Sequence, residues 1–173
     1  IFYATCICNL SYFIISFYMP KEVLSGHRPD RKEALFGSNT AWTYPGQGIQ
    51  FVGMGKDLAR VSKSAAITYR KADLILDSPI SAISFEGPKE SLDQTVNTQP
   101  AIFVFNHICE QLLRKQNPGL SHRKMVAGHS LGEYNALVAA KALRFEDALW
   151  LVGERGKAMK KACVANPGGM VAL

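Results

Sequence analysis

The segment that decides the fold is Lys124-Met125-Val126-Ala127-Gly128-His129-Ser130-Leu131-Gly132. Residues 124–127 favour a short strand, and the apolar residues after Gly132 favour a helix that runs to about Lys141. Between them, residues 128–132 fit the pattern G-x-S-x-G, which is typical of the sharp strand-to-helix turn called a nucleophile elbow. The two glycines leave room for the turn, and the turn exposes the Ser130 hydroxyl above the sheet. The alternative is an ordinary tight turn that carries no chemistry.

The chain around this segment alternates strands with helices. Ala41-Trp42-Thr43-Tyr44 is apolar and β-prone and predicts a buried strand that ends at Pro45-Gly46. Another short strand is predicted to begin at Met170. Strands that alternate with helices indicate a parallel sheet in an α/β fold. The predicted helices begin near Lys56 and cover about 64–76, 101–115, 133–141 and 145–165.

Residues 1–40 differ from the rest of the chain. Ile1–Met19 contains no charged residue and is close to the length of about 20 residues that spans a bilayer. It could be a membrane anchor, part of a targeting segment, or sequence outside the native protein, and we favour the last two over an anchor. Pro20–Thr40 is polar, with several Pro and Gly, and reads as a leader or linker. We therefore expect 1–40 to lie outside the fold and 41–173 to form the globular part.

Composition excludes several classes of protein. The 173 residues are 47% hydrophobic and 20% charged, which is ordinary for one globular domain and rules out a disordered chain or a disulfide-dense mini-protein. The net charge of +6 is modest and suits an acidic partner or a phosphorylated ligand. The four cysteines form no Cys-x-x-Cys pair and the four histidines no H-x-x-x-H pair, so we expect no metal site. We also expect no nucleic-acid partner.

Two backbone groups are candidates to stabilise negative charge beside Ser130. The helix after the turn points its N-terminus at the serine, which places the backbone N–H of Leu131 to hold a developing oxyanion. A hydrolase-type site needs a second donor from a loop after an earlier strand, and Gln47 occupies that place. The alternative for Pro45-Gly46-Gln47-Gly48 is a phosphate-binding loop, but its spacing fits neither G-x-G-x-x-G nor G-x-x-x-x-G-K-[ST].

Arg155 is a cation on an apolar helix face. Ala148, Val152, Arg155 and Met159 follow a 4-3-4 spacing and so share one side of the last helix. An inward charge is costly unless it is paired. It could form an ion pair with Glu133, extend its stem toward solvent, or bind a ligand carboxylate, for which arginine is better suited than lysine. The spacing leaves these alternatives open.

Gln99 and His129 are weaker candidates for the lining of the pocket. His129 directly precedes Ser130, so its side chain should diverge from the hydroxyl, which suits a supporting role better than that of a base. Gln99 opens a predicted helix and could line the pocket or act as a polar cap, and we favour the cap.

The combined motifs resemble the malonyl-CoA:acyl carrier protein transacylase family, which includes the acyltransferase domains of fatty acid and polyketide synthases. The matching words occur in the family's order and cover Ala41 to Leu173. They are Tyr-Pro-Gly-Gln-Gly (44–48), Val-Gly-Met-Gly (52–55), Thr-Gln-Pro-Ala (98–101), Gly-His-Ser-Leu-Gly-Glu-Tyr (128–134), Arg-Gly-Lys-Ala-Met (155–159) and Pro-Gly-Gly-Met (167–170).

The resemblance implies an α/β-hydrolase-like parallel sheet flanked by helices and a two-step acyl transfer. Ser130 would attack malonyl-CoA and form a malonyl-serine ester, which the phosphopantetheine thiol of acyl carrier protein then takes up. Gln47 and Leu131 would supply the oxyanion donors, and Arg155 would bind the malonyl carboxylate. Malonyl-CoA and acyl carrier protein are the implied partners, and no permanently bound cofactor is implied.

The resemblance also implies a general-base histidine beyond Leu173, after an inserted ferredoxin-like subdomain. We therefore expect a chain that is truncated before that subdomain, nearly inactive by itself and prone to aggregate. Two other functions stay open: a serine hydrolase or thioesterase that uses the same turn, and a non-catalytic module that binds carrier protein. A mitochondrial location is expected, with the cytoplasm as the alternative.

Overall fold

A computed structural model describes residues 3–6, 15–18, 40–116 and 125–168. The chain forms two compact units. One, which we call the elbow unit, comprises Ile1–Gly46 and Phe105–Arg144; the other, the helical unit, comprises Gln47–Val104 and Phe145–Leu173.

The elbow unit contains a four-stranded sheet in the order β1-β2-β3-β4. The strands are β1 (Tyr3–Cys6), β2 (Ile15–Tyr18), β3 (Thr40–Tyr44) and β4 (Met125–Gly128). Strands β3 and β4 are parallel, with Ala41 opposite Met125 and Tyr44 opposite Gly128. This pair confirms the predicted α/β class and both predicted strands.

Strands β1 and β2 come from the segment that we expected to lie outside the fold. They pair antiparallel with each other, and β2 pairs antiparallel with β3, with Ile15 opposite Thr43. The sheet is therefore mixed, where we expected it to be parallel, and nine residues of 1–40 belong to it, of which Thr40 begins β3. The physical reason is that a free edge of β3 would leave backbone donors and acceptors unpaired, and an apolar, β-prone segment can pair with them. The predicted leader or linker over 20–39 lies outside the described residues, as does the predicted strand at Met170.

The core of the elbow unit packs beside the parallel pair. Helix α6 (Gly132–Ala139) follows β4 after the turn and buries Ala136 and Ala139 together with Trp42 and Tyr44 of β3. Leu113 and Val126 pack against this cluster. The same residues that close the core thus fix the position of the turn between β4 and α6.

The helical unit is built around the first half of the long helix α5 (Thr95–Gln116). Its other helices are α1 (Lys56–Val61), α2 (Lys63–Leu76), α3 (Ile80–Glu86), α4 (Lys89–Leu92) and α7 (Phe145–Ala165). The ring of Phe103 on α5 stacks on Phe145 of α7, with centroids 5.5 Å apart. Tyr69 meets Phe85 edge to face at 4.6 Å. Tyr69 and Phe103 are fully buried by these contacts.

Helix α5 begins earlier than the sequence predicted. We expected a start at Ala101, because Pro100 lacks an N–H, but the helix begins at Thr95 and continues through Pro100. Side chains hold its first turns: the Thr98 hydroxyl donates to Leu92 O and lies 3.1 Å from Gln94 O, and the Asn97 amide donates to Ser91 O at 2.8 Å. Gln99 consequently lies inside the helix and not at its cap.

Among the residues that the structure describes, no helix is both long enough and apolar enough to cross a membrane.

Candidate active site

Ser130 occupies a strained turn between β4 and α6. Its φ is +54°, the left-handed region, which costs a residue with a side chain about 1 kcal/mol. The N–H of His129 continues the strand pairing by donating to Tyr44 O at 3.0 Å, and the N–H of Gly132 then donates to His129 O at 2.9 Å. Ser130 itself is exposed. The sharp turn that the motif predicted is therefore present, with the serine at its tip.

Three glycines allow this turn to pack closely against β3. A Cβ on Gly128 would lie 2.0 Å from the carbonyl carbon of Gly132, and a Cβ on Gly132 would lie 2.2 Å from Tyr44 O. A Cβ on Gly46 would lie 2.7 Å from His129 O. Such distances do not occur in folded proteins, so backbone fills the space where these side chains would be. The motif identified Gly128 and Gly132 as turn residues, and the structure adds Gly46.

Leu131 presents its backbone donor at the start of α6. Its own dihedral angles are already helical, at φ −55° and ψ −38°, and its side chain is fully buried. Within the described ranges, no acceptor pairs with the Leu131 N–H. A buried apolar side chain fixes the backbone while the N–H stays available for an anion at the helix start.

His129 lies over Gly46. A Cβ on Gly46 would come within 3.1 Å of His129 Nδ1, so the imidazole ring packs against the end of the β3 loop. This geometry suits the supporting role that the sequence indicated.

A buried polar group on α5 supports the β3 side of the turn, and sequence reasoning missed it. The Asn106 amide donates to Pro45 O at 3.2 Å and to Asn135 Oδ1 on α6 at 3.1 Å. Because Asn106 joins the loop after β3 to the helix after Ser130, it holds the two parts of the turn together. Its only sequence signal was position: it lies one helical turn after Phe103, on a face expected to be apolar.

A second buried group ties α5 to β3. The Tyr44 hydroxyl donates to Glu110 Oε2 at 2.7 Å, and Arg114 forms an ion pair with the same carboxylate. The Arg114 guanidinium lies 5.8 Å from the centre of the Trp42 ring. Burial raises the pKa of Tyr44 and the pKa of Glu110, the latter against the opposing effects of the Tyr44 hydrogen bond and Arg114. Tyr44 therefore stays protonated and acts as a donor.

The helical unit brings three predicted site residues into one hydrogen-bonded chain. Arg155 Nη1 donates to Gln99 Oε1; Gln99 Nε2 donates to Thr95 Oγ1 at 2.8 Å. The Thr95 hydroxyl in turn faces Gln47 Oε1 at 3.2 Å. Gln99 is fully buried, whereas Arg155 is half-buried on α7 beside the buried Val152. Thr95 was not predicted, because it lies outside every helix and strand that the sequence predicted.

Gln47 also keeps its backbone donor available. In the part of the chain that the structure describes, no acceptor pairs with the Gln47 N–H, and the residue is exposed. The six predicted site residues thus fall into two groups. Ser130, Leu131 and His129 lie in the elbow unit, and Gln47, Gln99 and Arg155 lie in the helical unit.

The helical unit also has a cavity of about 660 Å³ that none of the predicted site residues line. It lies between the α2–α3 connection, the start of α5 and the α7 lysines Lys157, Lys160 and Lys161. These lysines are exposed, and Lys157 pairs with Glu154 at 2.7 Å.

Over 40–116 and 125–168, no group of three His, Cys, Asp or Glu side chains could hold a metal ion. Cys109 and Cys163 are free thiols, and burial raises the pKa of Cys109 to about 12, so that this thiol is a poor nucleophile.

Comparison with known proteins gives a consistent family. Residues 41–173 match the family model described as acyl transferase domain. The chain is 42% identical over 136 residues to a malonyl CoA-acyl carrier protein transacylase of Bacillus subtilis. The matched region covers 79% of this chain and 42% of that protein.

Solved structures agree with this match. The acyl-carrier-protein S-malonyltransferase of Burkholderia pseudomallei superposes with a TM-score of 0.65 at 40% identity, over 70% of this chain and 39% of that one. A malonyl-transacylase in complex with a type II polyketide synthase acyl carrier protein gives a TM-score of 0.63 at 38% identity, over 70% of this chain and 39% of that one.

The chain spans about 42% of the length of curated relatives that it matches. Within that span, the family model covers both parallel strands, the serine turn and the helix that carries Arg155. With the residues at the turn in the expected geometry, the chain belongs to the acyl transferase domain family.

Proposed function

We propose that the protein carrying these residues moves a malonyl group from malonyl-CoA to the phosphopantetheine thiol of acyl carrier protein in fatty acid biosynthesis. The observation that carries the proposal is Ser130, held in a left-handed turn between glycines at the start of a helix. Strain of this kind concentrates at functional sites, where the surrounding packing enforces it. The relatives named malonyl transacylases supply the substrate class.

The first half-reaction makes an ester at Ser130. The hydroxyl oxygen attacks the thioester carbonyl carbon of malonyl-CoA and passes its proton to a general base, which the family resemblance puts at a histidine beyond Leu173. The N–H groups of Leu131 and Gln47 are the proposed donors to the tetrahedral oxyanion. Collapse breaks the carbon–sulfur bond, and CoA leaves as the thiol after taking up the proton. The carrier thiol then attacks the ester, and Ser130 regains its hydrogen.

Arg155 is the proposed site for the malonyl carboxylate. Guanidinium groups present a planar fork of N–H donors that matches a carboxylate. The hydrogen bond from Nη1 to the buried Gln99 orients the plane of that fork. An acetyl group has no carboxylate to accept from the N–H donors of Arg155, so the site would select carboxylated acyl groups. Gln99 and His129 are proposed to support the pocket.

The same proposal includes the detailed architecture of the fold and the cellular location of the protein. The parallel β3–β4 pair and the turn at Ser130 support an α/β-hydrolase-like sheet, and the family resemblance implies an inserted ferredoxin-like subdomain. The relatives named above with their source are bacterial, which favours the cytoplasmic alternative over the mitochondrial location we expected.

The test is acylation of Ser130 followed by transfer. The natural polypeptide that contains these residues is incubated with malonyl-CoA, and intact mass and peptide mapping locate the adduct. We expect one malonyl ester on Ser130, none in Ser130→Ala, and movement of the adduct to holo acyl carrier protein when it is added. Release of malonate to water instead would support a thioesterase. Absence of any adduct would support a non-catalytic carrier-binding module.

A further inference from the structure

The Thr95 hydroxyl lies between two amides that belong to different parts of the proposed site. It is 2.8 Å from Gln99 Nε2 and 3.2 Å from Gln47 Oε1. Gln99 contacts the proposed carboxylate-binding Arg155, whereas Gln47 carries a proposed oxyanion donor. Thr95 is thus the one side chain among the described residues that bonds both glutamines.

The direction of every hydrogen bond in this chain follows from Arg155. A guanidinium can only donate, so Gln99 must present its oxygen to Arg155 and its NH₂ group to Thr95. Thr95 must then accept from Gln99, which leaves its single hydrogen for Gln47. Gln47 must then accept this hydrogen bond with its amide oxygen. The charge of Arg155 therefore sets the orientation of two amides and one hydroxyl.

Burial makes this orientation hard to reverse. Gln99 is fully buried, and its NH₂ group is also 3.1 Å from Met159 Sδ. Turning the amide over would point NH₂ at the guanidinium and its oxygen at the sulfur, and an unsatisfied buried polar group costs about 1–3 kcal/mol. Bonds that all run in one direction also polarise and strengthen one another.

We propose that Thr95 is a positioning residue that transmits the orientation set by Arg155 to the side chain of Gln47 and so to the loop that carries the Gln47 N–H. This proposal rests on the proposed malonyl transfer. It assigns Thr95 no contact with substrate. Its consequence is that carboxylate recognition at Arg155 and oxyanion stabilisation at Gln47 are coupled.

The test compares two variants of Thr95 in the natural polypeptide. Thr95→Val keeps the shape and removes both hydrogen bonds, whereas Thr95→Ser keeps the hydroxyl. Because the proposed effect is a displaced oxyanion donor, we expect Thr95→Val to lower kcat for malonyl transfer by about 10-fold with KM changed less than about 2-fold. Thr95→Ser should restore kcat to within about 2-fold of the wild type.

Thr68→Val is the matched control. The Thr68 hydroxyl donates to Ser64 O at 3.0 Å on the exposed side of α2 in the same unit, so this variant loses one threonine hydrogen bond away from the site. We expect its kcat to equal that of the wild type. Gln47→Met removes the side-chain oxygen that accepts from the Thr95 hydroxyl and keeps the backbone N–H of residue 47. We expect it to lower kcat as much as Thr95→Val does. It therefore tests the proposal independently if Thr95→Val folds poorly.

A second readout does not depend on activity. Amide hydrogen exchange in the segment 46–50 should be faster in Thr95→Val than in the wild type and in Thr95→Ser. Unchanged kcat and unchanged exchange in Thr95→Val would overturn the proposal, as would equal losses in the Val and Ser variants. A wild type that transfers no malonyl group would refute the proposed function, and the exchange measurement would still decide whether Thr95 holds the loop.

Discussion

At the scale of single residues, Arg155 differs from the other cations of α7 in what surrounds it. Lys157, Lys160 and Lys161 are exposed, whereas Arg155 is half-buried and bonded to the fully buried Gln99. A lysine at this position would keep the charge but lose the fork, because an ammonium is a point charge with three rotating donors. The geometry of the proposed carboxylate site therefore depends on the guanidinium fork and not on charge alone.

We predict that Arg155→Ala lowers the ratio of malonyl to acetyl transfer by about 100-fold or more, since a carboxylate would lose its paired donors. Arg155→Lys should fall between this variant and the wild type. Competition between malonyl-CoA and acetyl-CoA measures the ratio, and Lys157→Ala removes an exposed cation from the same helix as a control. An Arg155→Ala enzyme that still prefers malonyl groups would show that another residue reads the carboxylate.

Gly132 provides a stability prediction at the turn. A Cβ there would lie 2.2 Å from Tyr44 O, and that oxygen belongs to a strand that cannot move without breaking its pairing. We expect Gly132→Ala to destabilise the protein by about 3 kcal/mol or more in urea unfolding. Gly168→Ala is the control, because nothing lies within 4 Å of the added methyl group. Equal midpoints for the two variants would mean that the turn is not closely packed.

At the scale of elements, Glu110 connects α5 to β3 and should make stability depend on pH. Burial raises its pKa above the ordinary value of 4.5, so the folded protein binds this proton more tightly than the unfolded chain. Stability from this group is therefore present below pH 4.5 and is lost as pH rises to the raised folded pKa, by at most about 1.4 kcal/mol per pH unit.

Glu110→Gln should remove that loss, because glutamine is neutral and still offers an oxygen to the Tyr44 hydroxyl. We predict that the unfolding free energy of the variant rises relative to the wild type as pH increases from about 4.5 to 8. Urea unfolding at several pH values measures the difference. If the variant instead loses most stability at high pH, the ion pair with Arg114 outweighs the cost of burying the carboxylate.

The elements that the sequence could predict are those whose signals are local. Strands β3 and β4 and the turn at Ser130 follow from a short apolar run, a glycine pair and the helix behind them. The early start of α5 could not be predicted in this way, because side-chain bonds from Thr98 and Asn97 to an earlier segment hold it. The supporting residues Thr95, Asn106 and Glu110 were missed for the same reason: their partners lie between 29 and 66 residues away, which no local spacing reveals.

At the scale of the whole molecule, residues 1–39 contribute strands β1 and β2 to the four-stranded sheet. The structure shows backbone pairing of β1 and β2 onto β3, and the buried cluster of Trp42, Tyr44, Ala136 and Ala139 lies on β3 and α6. We predict that removal of residues 1–39 lowers the unfolding free energy by less than about 1 kcal/mol, because backbone pairing at a sheet edge replaces hydrogen bonds to water. Thermal and urea unfolding of the shortened and full chains measure this. A loss of several kcal/mol would make the first two strands part of the stable fold.

The left-handed backbone at Ser130 has a consequence for how this sequence can drift over generations. Glycine would adopt φ +54° without penalty, so the least strained residue at this position is one that has no hydroxyl. A protein that no longer needed the hydroxyl for catalysis would gain stability if glycine replaced Ser130. A strained serine between Gly128 and Gly132 is what selection for a reactive oxygen would leave behind.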